Sequence, residues 1–224
     1  IEAKFNESVH IVPLTDPDGR CVAIARPRNA PFALAGRNIG PGKPCLLIAE
    51  IGNNHNGSLD LAFELIDAAV ESGADCVKFQ MRDLSSLYAN AGDAGDHRED
   101  LGSQYTLDLL TRFQLSDKEM FRALDHCQDS GVIPLVTPWD LVSMSKLEDY
   151  GIEGYKTASA DFTNHPLLLS LADTGKPLVC STGMTTDAEI RDTVNLLVSK
   201  GCQFALLHCN STYPTPFKDV NLQY

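Results

Sequence analysis

The apolar positions from residue 45 onward fall into short runs that alternate with longer amphipathic segments at regular intervals. This alternation is typical of repeated strand–helix units on a parallel sheet, whose strands are apolar on both faces because helices cover them. The pattern predicts six units, with strands at Cys45 to Glu50, Cys76 to Gln80, Ile133 to Thr137, Tyr155 to Ala158, Leu178 to Thr182 and Phe204 to Cys209.

Helix starts between these strands are marked by residues that cap a free helix N-terminus. Ser58 precedes one amphipathic segment, and Ser116 and Thr186 precede two others. Glu119 and Glu189 follow Ser116 and Thr186 at the three-residue spacing of a capping box. The three caps therefore support the strand–helix interpretation independently of the apolar runs.

Two segments lie outside the repeat. Residues 1–44 contain two β-like runs, SVHIVPL and CVAIARP, around a turn at Pro17 to Gly19, followed by the Gly/Pro-rich link GRNIGPGKP. We interpret them as an N-terminal hairpin extension that caps one end of a barrel. Leu84 to Gln104 shows no periodicity, which predicts a long loop, and long loops at strand ends often carry function.

Composition narrows the class of protein. The formal charge is −12, with 30 acidic and 18 basic residues, so the basic stripe of a nucleic-acid or anionic-membrane surface is not expected. No apolar stretch is long enough to span a membrane, and we expect a cytoplasmic protein. The seven cysteines include no CxxC pair, which favours free thiols in a reducing compartment over disulfides or a zinc site.

Polar residues collect at the predicted carboxyl end of every strand, where active sites of strand–helix folds form. The candidates in chain order are Glu50, Lys78, Gln80, Thr137, Lys156, Ser159, Asp161, Ser181, Thr182, His208, Ser211 and Tyr213.

Lys78 and Lys156 interrupt apolar runs, and a buried ammonium is costly unless an anion meets it. Each lysine alone could instead extend to solvent. Together they predict a phosphate or carboxylate ligand, or else one lysine that forms a Schiff base. Hydroxyl groups at the strand ends either complete that anion site or cap helices, and these are Thr137, Ser159, Ser181 and Ser211.

Glu50 and Asp161 are suited to bind sugar hydroxyls or to move protons, unless they are solvated loop carboxylates. His55 and His208 are the candidates for metal ligands or bases, although no HxH or HxxxH pairing supports them. The spacing therefore predicts no metal site within this chain.

Six runs occur in order along the chain: IAEIGNNHNG, CVKFQ, VTPWD, YKTASADFTNHPLL, GKPLVCSTGM and LLHCNSTYPTPFKDV. From about Ala35 to the last residue the sequence closely resembles the sialic acid synthases, which condense phosphoenolpyruvate with an N-acetylhexosamine. The resemblance implies a (β/α)8 TIM-barrel transferase, a homodimer, a small C-terminal antifreeze-like domain and a divalent metal, Mn²⁺ or Mg²⁺.

The resemblance also implies roles for individual residues. Lys78, Thr137, Lys156, Ser159 and Ser181 match the phosphoenolpyruvate-binding set, and Glu50, Gln80, Asp161 and Tyr213 match the sugar-side set. Ser211 stands where relatives vary between Asn and Ser, and Asp161 where some relatives have Glu. Among these residues we expect Glu50, Lys78, Lys156 and Asp161 to be catalytic. The metal-binding histidines of the family are expected beyond Tyr224.

Six units are three quarters of an eight-unit barrel. We therefore expect residues 45–224 to form units 1–6, with units 7–8 and the antifreeze-like domain absent from this chain. The expected reaction makes a sialic acid from phosphoenolpyruvate and N-acetylmannosamine. Alternatives are a pseudaminic or legionaminic acid synthase, a Schiff-base aldolase using Lys156, and a non-catalytic fragment that binds the same ligands.

Overall fold

Six parallel strands form the main sheet, and each strand pairs with the next along the chain. The computed structural model describes residues 12–15, 21–25, 32–40, 42–88, 103–212 and 214–221. The sheet strands are β5 (Ile48–Gly52), β6 (Cys76–Met81), β7 (Ile133–Pro138), β8 (Tyr155–Thr157), β9 (Leu178–Ser181) and β10 (Phe204–Leu207). Two antiparallel pairs precede them: β1 (Val12–Thr15) with β2 (Cys21–Ala25), and β3 (Phe32–Leu34) with β4 (Arg37–Ile39).

The helices connect the parallel strands. They are α1 (Leu59–Glu71), α2 (Leu84–Leu87), α3 (Ser103–Arg112), α4 (Asp117–Asp129), α5 (Leu141–Tyr150), α6 (His165–Asp173) and α7 (Asp187–Ser199). Short 3-10 helices cover Ser159–Asp161 and Phe217–Asp219. The sequential strand order makes this sheet a parallel half-barrel of six strands, as the apolar pattern predicts, and α-helices follow the first five of these strands within the described residues.

The predicted helix caps are confirmed in detail. The Ser58 side chain accepts a hydrogen bond from the Leu61 amide at the start of α1. Ser116 and Thr186 each form a complete capping box, with Glu119 at α4 and Glu189 at α7. These bonds satisfy amide groups that have no partner within the helix, so each helix begins where the sequence predicts.

Each central strand presents one face to the helices and one to the interior of the half-barrel. Val77, Phe79 and Met81 of β6 lie in the apolar core beneath the helices. Cys76 points to the other side, where it belongs to a separate apolar cluster with Leu34, Leu135 and Val179. The period of two in a strand therefore places Lys78 and Gln80 on the inner side with Cys76.

The β3–β4 hairpin closes the amino end of this inner face. Leu34 is fully buried there, and Arg37 forms an ion pair with Asp75, which directly precedes β6. The other carboxylate oxygen of Asp75 accepts the Leu47 amide at 2.8 Å. That backbone hydrogen bond and Arg37 lower the pKa of Asp75.

Several sequence expectations need correction. Part of the predicted Gly/Pro-rich link is strand β4, and the predicted loop from Leu84 to Gln104 contains α2 and the start of α3. Residues 89–102 of that loop and the predicted turn at Pro17 to Gly19 lie outside the described residues. The strand β5 begins at Ile48, three residues later than predicted, and β10 ends at Leu207, before His208.

No disulfide joins the cysteines whose side chains the structure describes, in agreement with the expected free thiols. Within the described ranges, none of the helices has the length and apolar character needed to cross a membrane.

Candidate active site

Lys78 is the centre of the polar cluster at the carboxyl end of the sheet. It lies opposite Glu50 in the parallel pairing of β5 with β6, and its Nζ is 2.7 Å from the Glu50 Oε2. The Lys78 side chain is 3% exposed, whereas the Glu50 side chain is 50% exposed. The pair therefore joins a buried cation to a carboxylate at the open mouth of the half-barrel.

A second lysine, Lys156, contributes positive charge near Lys78. Burial is the main cause of the lowered pKa of Lys78, Glu50 opposes that effect, and Lys156 and Arg82 lower the pKa further by repulsion. Lys156 is partly buried on β8, on the inner face of the strand. Two lysines near one carboxylate leave an excess of positive charge, which favours binding of an anion.

The predicted hydroxyl groups lie along the same carboxyl edge. Thr137 and Ser181 are buried at the ends of β7 and β9, and the Thr137 Oγ1 has no hydrogen-bond partner among the described residues. Ser159 accepts a hydrogen bond from the Gly183 amide at 3.0 Å. Ser211, which is exposed, donates to the Gly183 carbonyl at 3.0 Å, so it supports the turn after β9.

A side chain at position 183 would be too close to neighbouring atoms, so the position favours glycine. A Cβ atom there would lie 3.0 Å from the Cys209 carbonyl oxygen, because the chain after β10 passes directly over the turn. Thr182, also a candidate, donates to the Leu207 carbonyl at 2.9 Å and so ties the ends of β9 and β10 together. Thr182 and Ser211 thus stabilise the turns after β9 and β10, and the substrate-binding role predicted for Ser211 stays a prediction.

Asp161 follows β8 in the short 3-10 helix and is partly buried. Its Oδ1 accepts from the Asn164 side chain at 3.1 Å, and its Oδ2 is buried without a partner among the described residues. Burial raises the pKa of Asp161, while Asn164 and the charge of Arg82 oppose the rise. A carboxyl group in this state is suited to hold or release a proton.

Arg82 is a site residue that the sequence reasoning missed. It follows Lys78 and Gln80 at the same two-residue spacing, just beyond the end of β6. Its guanidinium donates to the Gln80 Oε1 at 2.7 Å and lies over the Trp139 ring, 4.1 Å from the centroid. Burial lowers the pKa of Arg82 to about 10. Continuation of the alternation past the strand end was the sequence signal that identifies it.

The candidate histidines occupy different environments. His55 is buried, its Nδ1 accepts the Gly57 amide at 3.1 Å, and burial lowers its pKa. His208 is exposed, and its Nε2 accepts the Asn221 amide at 3.1 Å. Among the described residues no three His, Cys, Asp or Glu side chains converge as a metal site would require. Tyr213 lies outside the described residues.

The chain is similar in sequence to curated proteins of other organisms. The chain is 38% identical over 84% of its length to an uncharacterised protein of Methanocaldococcus jannaschii, of which the match covers 53%. It is 34% identical over 81% of its length to N,N'-diacetyllegionaminic acid synthase of Campylobacter jejuni, of which it covers 56%. The chain thus spans about half the length of the curated relatives it matches.

A solved structure agrees in fold. The crystal structure of N-acetylneuraminic acid (sialic acid) synthetase from Leptospira borgpetersenii, in complex with citrate, superposes with a TM-score of 0.76 at 30% identity. The superposition covers 86% of this chain and 63% of that chain.

The fold and the site define a strand–helix repeat protein with a cationic site at the carboxyl edge of its parallel sheet. The NeuB family model matches residues 65–224, and the chain belongs to the NeuB family.

Proposed function

We propose that this protein contributes the phosphoenolpyruvate site, and part of the sugar site, of an enzyme that condenses phosphoenolpyruvate with an N-acetylhexosamine to a nonulosonic acid. The observation that carries the proposal is the buried ammonium group of Lys78, which pairs with Glu50 at 2.7 Å and lies close enough to Lys156 for the two cations to repel each other. Phosphoenolpyruvate carries a carboxylate and a phosphate, and the excess positive charge favours it in a protein whose net charge is −12.

The residues of this chain bind and orient the reactants. Lys78 and Lys156 neutralise phosphoenolpyruvate, and the Thr137, Ser159 and Ser181 hydroxyls donate hydrogen bonds to its oxygens. Carbon 3 of phosphoenolpyruvate attacks the sugar aldehyde, water adds at carbon 2, and phosphate leaves by C–O cleavage. Asp161 holds the proton that must be transferred during these reaction steps, and Gln80 orients the sugar.

The divalent metal of the proposal has no complete ligand set among the described residues. We propose that its histidine ligands follow Tyr224, and we assign no step of the reaction to it. Enzyme activity that persists after chelation would overturn this part of the proposal.

The wider architecture is also a proposal. The six observed strands correspond to the strands of units 1–6 of a (β/α)8 barrel in a cytoplasmic homodimer. The family membership and the superposition on the Leptospira synthetase support the barrel. N-acetylmannosamine is the first sugar to assay. Related N-acetylated sugars are further candidate substrates, because one relative is an N,N'-diacetyllegionaminic acid synthase.

The test is phosphate release by the full-length gene product with phosphoenolpyruvate, Mn²⁺ and N-acetylated hexosamines, with the product mass determined by mass spectrometry. We expect a nonulosonic acid in equal amount to phosphate. Borohydride reduction with pyruvate present separates the Schiff-base alternative, because a stable adduct on Lys156 would contradict the proposal. Metal-independent binding of phosphoenolpyruvate without turnover would favour the non-catalytic alternative.

A further inference from the structure

A small, largely enclosed cavity adjoins the end of β6. Its polar lining comes from the loop after β5, the end of β6 and the chain after α3, and consists of Asn53, His55, Gln80, Arg82 and Gln114. Two leucines complete the lining. The cavity has a volume of about 10 Å³, which is close to the space that one water molecule requires. Its size and its polar lining therefore suit one buried water.

His55 brings a buried hydrogen-bond donor to this cavity. The residue is 1% exposed, and its Nδ1 accepts the Gly57 amide at 3.1 Å. Because burial lowers the pKa of His55, its ring is neutral near pH 7 and carries its one proton on Nε2, the nitrogen that does not accept. The Nε2 atom is buried and has no hydrogen-bond partner among the described residues. Buried donors normally have a partner, so an acceptor bound in the cavity is expected.

The turn that carries His55 is packed tightly. The Ser58 amide donates to the His55 carbonyl at 2.9 Å, at the start of α1. Gly57 lies against the end of α3, since a Cβ atom there would be 2.5 Å from the Arg112 carbonyl oxygen. The tight packing and the bond from the Gly57 amide fix the position of the His55 ring relative to the cavity.

Gln80 and Arg82 connect the cavity with the proposed sugar site. The Arg82 guanidinium donates to the Gln80 Oε1 at 2.7 Å, which fixes the direction of the Gln80 amide. A Cβ atom at Gly52 would lie 3.4 Å from the Gln80 Nε2 and 3.9 Å from the Lys78 Nζ, so both nitrogen atoms lie beside Gly52. Gln114 holds the main chain here, because its Nε2 donates to the Arg82 carbonyl at 2.9 Å. The direction of the Gln80 N–H donors therefore depends on where the Arg82 guanidinium is held.

We propose that one water molecule binds in this cavity between the His55 Nε2–H and the Arg82 guanidinium, and that His55 is thereby a positioning residue for Gln80. The water accepts one N–H from each of the two side chains and donates its own protons to oxygen atoms of Asn53 and Gln114. His55 acts through Arg82 and Gln80 and makes no contact with the sugar. The inference rests on the proposed function, in which Gln80 orients the sugar.

The test uses two substitutions that each keep one half of the hydrogen bonding of the imidazole. His55→Asn keeps an acceptor for the Gly57 amide at the place of Nδ1 and removes the donor to the water. His55→Gln keeps a donor at the place of Nε2 and loses the bond from Gly57. The two variants therefore separate the contact with the water from the support of the turn.

Phosphate release by the full-length enzyme is measured with N-acetylmannosamine, or with whichever N-acetylated hexosamine reacts faster. We expect His55→Asn to lower kcat/KM for the sugar about tenfold and His55→Gln to leave it within about threefold. The Kd of phosphoenolpyruvate should stay unchanged in both variants, because Lys78 and Lys156 do not line the cavity. A role of His55 in the fold alone would not separate the two substrates in this way.

His126→Asn is the matched control, because His126 lies on α4 and pairs with the Asp67 carboxylate at 2.7 Å. It should leave all kinetic constants unchanged. A crystal structure of the full-length enzyme gives a readout that does not depend on activity. An ordered water should lie about 2.7 to 3.2 Å from the His55 Nε2, and it should lose this contact in His55→Asn.

A side chain in place of water as the partner of the His55 Nε2 would overturn the inference, and the structure of the unmodified enzyme decides this even if a variant fails to fold. Equal kinetic losses in the two variants, or losses that extend to phosphoenolpyruvate binding and follow the melting temperature, would overturn the positioning role. No phosphate release with any hexosamine would overturn the proposed function and the positioning role together. The crystal structure would then still decide whether the water site exists.

Discussion

The two ends of the inner face of the sheet have opposite chemistry, although the same strands form both. At the amino end, Leu34 fills the space between Cys76, Leu135 and Val179 and excludes water. At the carboxyl end, two residues further along the same strands, Lys78, Thr137 and Ser181 occupy the corresponding positions. The apolar end provides rigid packing, and that packing holds buried polar groups in place at the other end.

This difference between the two ends implies that substitutions at the polar end weaken ligand binding with little loss of stability. Substitutions at the apolar end should lower stability with little effect on ligand binding. Four experiments test this division.

Lys78→Met should have the largest effect. We expect phosphoenolpyruvate binding to weaken by about 3 kcal/mol or more, beyond a hundredfold, since the principal buried cation is lost. The melting temperature should stay the same or rise, because the variant removes the desolvation cost of a buried ammonium and leaves Glu50 half-exposed to solvent. Calorimetric titration and thermal unfolding measure the two quantities.

Lys176→Met is the control for that variant, because Lys176 pairs with Glu148 at 2.7 Å and has no role in the proposed site. A large fall in melting temperature for Lys78→Met would show that the polar end also supports the fold.

Leu34→Ala should destabilise the protein by about 2 to 4 kcal/mol, because a fully buried side chain is replaced by a cavity between hairpin and sheet. Denaturant unfolding measures this change, and the affinity of the folded protein for phosphoenolpyruvate should stay within about threefold of the original, the range of independent sites. Leu141→Ala, at a leucine that is 51% exposed, should have little effect on stability. Equal losses in the two variants would contradict the packing role of Leu34.

Gly154→Ala should destabilise by about 1 to 3 kcal/mol through overpacking. A Cβ at Gly154 would lie 2.4 Å from the Leu34 Cδ1 and 3.1 Å from the Pro177 carbonyl oxygen. The double variant with Leu34→Ala should lose less stability than the sum of the single variants, because the clash with Leu34 is removed. Simple additivity in a double-mutant cycle would show that the two residues do not share this space.

The smallest expected effect is on the pH dependence of binding. Lys78 is charged below its pKa and neutral above it, and burial lowers that pKa. Phosphoenolpyruvate affinity should therefore fall as pH rises, and the fall should begin below the ordinary lysine pKa of about 10.4. Trp139 is the single tryptophan of the sequence and lies in the site, so its fluorescence reports binding. Lys78→Arg should move the fall to higher pH, and an identical profile would remove Lys78 as the titrating group.

Local patterns predicted the parts of the fold that depend on neighbouring residues. Apolar runs that alternate with amphipathic segments predicted the six strands and their polar ends. The chemistry of helix caps, which involves only a few neighbouring residues, predicted the caps at Ser58, Ser116 and Thr186. The β3–β4 hairpin and α3 were missed. Their short apolar stretches acquire their structure from contact with the sheet and its helices, which no local window contains.

The candidate site was predicted only in part, for the same reason. Alternation along β6 predicts that Lys78 and Gln80 share a face, and its extension past the strand end would have added Arg82. Ser211 and Thr182 support a turn because β9 and the chain after β10 approach each other, and this approach is visible only in the tertiary structure.

The sequence by itself determined the strand–helix repeat, its helix starts and the concentration of polar residues at one edge, because periodicity and capping are local properties. Only the tertiary structure decided that Glu50 pairs with Lys78, that Leu34 closes the opposite end, and that Arg82 lies over Trp139. Those contacts join residues distant in the chain, and they depend on strand register and on the angle at which elements pack.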